Sequence, residues 1–101
     1  MPYAQACVII TDDGTVLLKS YETIVAAITP ERWLTIYGLY SMTTRKHISA
    51  FLKEWAAPIT YQTAKMIYND NYCININTGE IVSIRHDFFF VKIRRITSNN
   101  T

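Results

Sequence analysis

The chain has 101 residues, of which 50% are hydrophobic and 13% aromatic, and its formal net charge is +2. That is chain enough for one domain, hardly two, and apolar surface enough for a core without disulfide or metal staples, so a disordered chain is excluded. The low overall charge excludes a dedicated DNA-coating protein, and no hydrophobic run approaches the roughly 20 residues of a membrane-spanning helix.

The charge is unevenly spread: −3 over residues 1–31, +4 over 32–69 and +1 over 70–101. A polarised surface of this kind points to a charged partner. Met1-Pro2-Tyr3-Ala4-Gln5 lacks the basic start and cleavage site of a signal peptide. Cys7 and Cys73 lie alone in apolar stretches with no C-x-x-C partner. They read as buried free thiols in a reducing cytoplasm, with a disulfide between them as the alternative.

From Tyr3 to Ile10 the residues are apolar and suited to a strand, and Asp12-Asp13-Gly14 announces a hairpin because such a turn needs positive φ. The return strand starts at Thr15 and, through a bend or bulge at Ser20-Tyr21, continues as one long strand to Ile28. Its later half should place Tyr21, Thr23, Val25 and Ala27 on one face, with Ile24, Ala26 and Ile28 on the other. Thr29-Pro30-Glu31 is a turn, and Arg32–Tyr37 alternates as a third strand closed by Gly38.

The period then changes. Ile48, Phe51, Leu52 and Trp55 fall at i, i+3, i+4 and i+7, the stripe of an amphipathic helix. Thr43 or Thr44 is the expected N-cap, and Arg45, Lys46, Ser49 and Lys53 fall on the solvent side. Ala56-Ala57-Pro58 interrupts the helix. A second, shorter helix is capped by Thr60, presents Tyr61, Ala64, Ile67 and Tyr68, and ends at Asn69-Asp70-Asn71. Tyr72–Asn77 alternates into a Thr78-Gly79 turn, Glu80–Ile84 returns, Arg85-His86-Asp87 is a polar break, and Phe88–Ile96 is a last strand. The order β-β-β-α-α-β-β-β describes an α+β fold, an antiparallel sheet with two helices packed on one face. Residues 1–97 form the domain and 98–101 a frayed tail.

Ser20-Tyr21-Glu22-Thr23-Ile24-Val25-Ala26, then Tyr40-Ser41-Met42-Thr43-Thr44-Arg45-Lys46-His47-Ile48 and Phe51-Leu52, follow the pattern S-Y-x-T-x-V-A … Y-S-x-T-T-x-x-H-I-x-x-F-L. This pattern resembles a small uncharacterised domain common in short proteins of bacteriophages and mobile elements. The resemblance covers under half of the chain. It implies a phage or prophage origin and carries no catalytic residues across. By analogy with other small phage proteins, it points to an inhibitor of host defence, of the anti-CRISPR kind.

Several polar residues could carry chemistry. Thr43-Thr44-Arg45-Lys46-His47 could hold a phosphate or carboxylate at a helix start, though capping and solvation are the plainer account. His47 reads as a structural histidine bonded to a threonine, a tyrosine such as Tyr40, or backbone. His86 falls in a turn. Two histidines and two cysteines without shared spacing do not make a metal site, and no cofactor is implied. No serine lies in a G-x-S-x-G context and no glycine-rich loop could cradle a nucleotide. In the last strand, Phe88, Phe90, Lys92 and Arg94 share one face, while Phe89, Val91, Ile93 and Arg95 share the other. They could stack bases and grip phosphates, or form a core strand with snorkelling cations.

These residues point to a binding protein, not an enzyme. The first expectation is a phage-encoded inhibitor of a bacterial defence protein or ribonucleoprotein complex, acting in the host cytoplasm by protein–protein contact. Arg32, Arg45, Lys46, Lys53, Lys92, Arg94 and Arg95 would supply its charged contacts, with surface aromatics as anchors. The second is a small nucleic-acid-binding accessory protein using the same cations. An exposed sheet edge could also pair two copies into a homodimer.

Overall fold

A computed structural model describes residues 5–84 of the chain. The expected last strand, His86 and the tail 98–101 lie outside the described residues.

Strand β1 (Ala6–Ile10) pairs antiparallel with β2 (Val16–Ser20). At their turn the Gly14 amide donates to the Thr11 carbonyl at 3.0 Å. Gly14 stands at φ 93°, so the positive φ announced by Asp-Gly falls on the residue without a Cβ. The Thr11 hydroxyl and the Thr15 amide donate to the Asp13 carboxylate and hold its pKa below the ordinary value.

The long second strand of the sequence reading is in fact two. Tyr21 and Glu22 form a tight turn, with Tyr21 at φ 57° and Ser20 paired to Thr23, so that β3 (Thr23–Ile28) runs back along β2. Neither turn residue is glycine, asparagine or aspartate, the usual signals for a left-handed residue, and for this reason composition alone shows a continuous strand. A second departure follows within β3. Leu18 pairs with Ala26 and Lys19 with Ile24, leaving Val25 as the extra residue of a β-bulge. The bulge breaks the alternation, so Val25, Ala26 and Ile28 all enter the main core.

Strand β4 (Trp33–Ile36) pairs with β3 across the turn at Thr29–Arg32. The Arg32 amide donates to the Thr29 carbonyl at 2.8 Å, and Arg32 itself takes φ 78°, the role Gly14 fills in the first hairpin. Helix α1 (Met42–Trp55) is capped by Ser41, not by Thr43 or Thr44. Ser41 has the extended backbone an N-cap needs, and its hydroxyl accepts from the Thr44 amide at 3.1 Å. The two threonines fall inside the first turn, where Thr44 points inward and is buried. Thr60 caps α2 (Tyr61–Asn69), accepting from the Thr63 amide, and Asn71 at φ 60° follows its C-terminus.

Strand β5 (Tyr72–Asn75) pairs with β4, and β6 (Ile81–Ser83) with β5. The result is an antiparallel six-stranded sheet in the order β1-β2-β3-β4-β5-β6, with both helices inserted between β4 and β5. This is the α+β fold the sequence implies. Buried Asn75 locks the β5–β6 turn: its Oδ1 accepts from the Asn77 and Thr78 amides, while its Nδ2 donates to the Glu31 carbonyl.

Helix α1 lies over β2 and β3, and α2 over β4 and β5. Leu18, Ile28 and Leu34 of the sheet meet Ile48, Phe51 and Leu52 of α1 and Ile67 of α2 in one cluster. Burying each such side chain contributes about 1.5–3 kcal/mol before chain entropy is counted. Trp33, Cys73 and Val82 form a second, smaller cluster. Because Trp33 neighbours Leu34 along the strand, this cluster lies on the other face of the sheet. Both cysteines are free, but only Cys73 is buried; Cys7 is exposed on the outermost strand. Among the described residues no helix is long and apolar enough to cross a membrane.

Candidate functional site

The stripe that buries Ile48, Phe51 and Leu52 leaves the opposite side of α1 in solvent. On that side Met42, Arg45, Lys46, Ser49, Lys53 and Glu54, with Tyr61 of α2, line an open groove of about 580 Å³. The structure thus brings three of the sequence-derived candidates, Arg45, Lys46 and Lys53, onto one surface. Each is exposed, and its side chain makes no hydrogen bond or ion pair among the described residues. The ion pair found there is Lys19–Glu22, at 3.6 Å across the β2–β3 turn.

Arg32 stands apart from this groove. It sits on the β3–β4 turn, half-buried, with its Nε donating to Asn77 Oδ1 at 3.4 Å. Lys92, Arg94 and Arg95 lie outside the described residues.

Around the start of α1 large side chains remain in water: Tyr40 is 65% exposed and Met42 69%. Tyr40 lies against Gly38, where a Cβ would overlap its ring, so a residue read only as a strand end also makes room for an exposed aromatic. Tyr21, on the β2–β3 turn, brings its ring to 5.9 Å from that of His47.

Beneath these residues lies a buried polar cluster. Ser20 Oγ is 2.7 Å from His47 Nδ1 and 3.3 Å from Thr44 Oγ1, and Ser41 Oγ donates to Thr44 Oγ1 at 3.2 Å. Sequence reasoning placed His47 near a threonine, Tyr40 or backbone, and missed Ser20. The pairing needs a full chain reversal at Tyr21, where the sequence reading placed only a bend or bulge within one long strand. Burial pushes the His47 pKa below its ordinary value, because the neutral ring is easier to take out of water.

Ser20 and His47 are 2% and 1% exposed. A serine–histidine contact in such a place ties β2 to α1; a substrate could not reach it without local opening. Among the described residues no three His, Cys, Asp or Glu side chains converge to hold a metal ion. The groove itself presents three cations, one carboxylate from Glu54 and the Met42 thioether.

No curated protein and no solved structure matches the chain. A family model does, over residues 2–70, the span that contains β1–β4, both helices, the buried cluster and the groove. The chain therefore belongs to the family of unknown function DUF8033.

Proposed function

We propose that this protein works by binding another macromolecule through the outer face of α1, and that the partner is a protein with an acidic surface. The observation that carries this is the joint presence of Arg45, Lys46 and Lys53, none of them neutralised among the described residues, beside exposed Met42 and Tyr40. Cations used alone grip phosphates; cations mixed with methionine and tyrosine anchors are the composition of protein interfaces. The sealed position of Ser20 and His47 favours a binder over an enzyme.

The finer reading is a phage-encoded inhibitor of a bacterial defence complex, acting in the host cytoplasm in the manner of an anti-CRISPR. It is supported by the resemblance of the Ser20–Leu52 pattern to phage and mobile-element proteins. The alternative, a small nucleic-acid-binding accessory protein, is supported by the three cations along one helix face.

The test is affinity capture of the full chain from a bacterial lysate with and without nuclease, followed by titration of the captured partner at increasing salt. Arg45→Glu with Lys46→Glu should weaken binding at least tenfold. Capture that survives nuclease and falls shallowly with salt supports the protein partner, while a steep fall of log K with log salt supports nucleic acid. Unchanged affinity in the double variant would remove α1 from the interface.

A further inference from the structure

Among the described residues strand β1 ends the sheet, and the parity of its hydrogen bonds can be read from its two flanks. The Tyr21 amide donates to the Gln5 carbonyl at 2.7 Å, and the Thr11 amide to the Thr15 carbonyl at 2.9 Å. In an antiparallel ladder hydrogen-bonded pairs alternate with non-bonded ones. Gln5, Cys7, Ile9 and Thr11 therefore turn their backbone groups toward β2, and Ala6, Val8 and Ile10 turn theirs away from the sheet.

Among the described residues this outward row has none of the features that protect edges. Ala6–Ile10 carries no charge and no proline, and Ile9 and Ile10 are 38% and 59% exposed beside exposed Cys7. The opposite edge differs. Strand β6 has three residues, with Glu80 immediately before it.

We infer that β1 is a homodimerisation edge, pairing antiparallel with β1 of a second copy about a two-fold axis through Val8. In that register Val8 faces Val8 of the second copy, and Ala6 faces its Ile10. All three outward residues become hydrogen-bonded pairs, about six bonds in total. The side chains agree with this register. Ile10 lies beside Ala6 of the second copy on the helix-covered side, and Ile9 beside its Cys7 on the other, so apolar groups meet on both faces.

Self-complementarity of an uncharged strand argues for a second copy over a charged partner. The isologous arrangement also closes, whereas β1 against β6 of a neighbour would propagate. The product joins the six described strands of each copy into one continuous sheet.

The full chain should sediment as a concentration-dependent dimer of twice 11.7 kDa. A short thiol cross-linker should join Cys7 to Cys7 of the second copy, since diagonal neighbours across such a pair are roughly 7–8 Å apart. Val8→Pro deletes a donor facing away from β2, a placement edge strands tolerate, and should give a monomer with an unchanged circular dichroism spectrum. If Val8→Pro fails to fold, Ile10→Pro decides, because Ile10 is exposed and its amide also points outward. It should weaken the dimer at least tenfold. A monomer at every concentration overturns the inference, as does a dimer that survives the folded proline variant or resists Cys7 cross-linking.

Discussion

Arg32 and Gly14 occupy equivalent places in two successive hairpins, at φ 78° and φ 93°. Glycine, having no Cβ, takes that conformation freely; for arginine the cost is on the order of 1 kcal/mol. Arg32→Gly should therefore stabilise the fold by about 0.5–1 kcal/mol in urea unfolding, while Arg32→Ala should be close to neutral. A non-glycine kept at such a position is consistent with a use for its side chain, and binding assays on the same two variants separate backbone strain from contact. His47 makes the second residue-scale prediction. Its folded pKa lies below the unfolded value of about 6.5, so the unfolded chain takes up the proton first as pH falls. The stability this gives is complete above about pH 6.5 and is lost as pH falls through the folded pKa. His47→Gln should flatten that part of the stability–pH curve, measured by denaturant unfolding between about pH 7 and pH 5.

At the scale of elements, the caps decide where helices begin. Ser41→Ala removes the acceptor for the Thr44 amide and should cost about 1 kcal/mol of stability, whereas Thr43→Ala should change it little. Thermal melts of the two variants side by side check the assignment. The sequence reading named Thr43 or Thr44 as the cap, and the helical period did not point to Ser41. The choice was made by the inward direction of Thr44, which is fixed by Ser20 on a strand more than twenty residues earlier. The turn at Tyr21 was read only as a bend or bulge within one strand, and the bulge at Val25 escaped, for a related reason. Both are responses of β3 to its neighbours β2 and α1, and β-branched composition is the same with or without them.

For the molecule as a whole, the two cysteines report on different events. Cys73 is fully buried, and burial raises its thiol pKa to about 11, so it should react only when the fold opens globally. Cys7 stands on the exposed edge strand. A thiol reagent at pH 8 should therefore label one cysteine quickly and the second at a rate that follows the unfolding equilibrium; fast labelling of both would contradict the burial of Cys73. The same two-tier surface frames function. A rigid sheet and two capped helices hold the α1 groove in place, and the free edge lies on a separate flank.

By itself the sequence determined the fold class, the two helices, the Asp-Gly and Thr-Gly turns and the outward placing of Arg45, Lys46 and Lys53. These depend on periodicity and turn chemistry, which act between residues a few positions apart. Only the tertiary structure decided that Ser20 meets His47, that Val25 joins Ala26 in the core, and that Arg32 stands apart from the groove of Arg45, Lys46 and Lys53. Those outcomes depend on which strands pair and in which register, a balance of burial summed over distant residues that no local window of sequence contains.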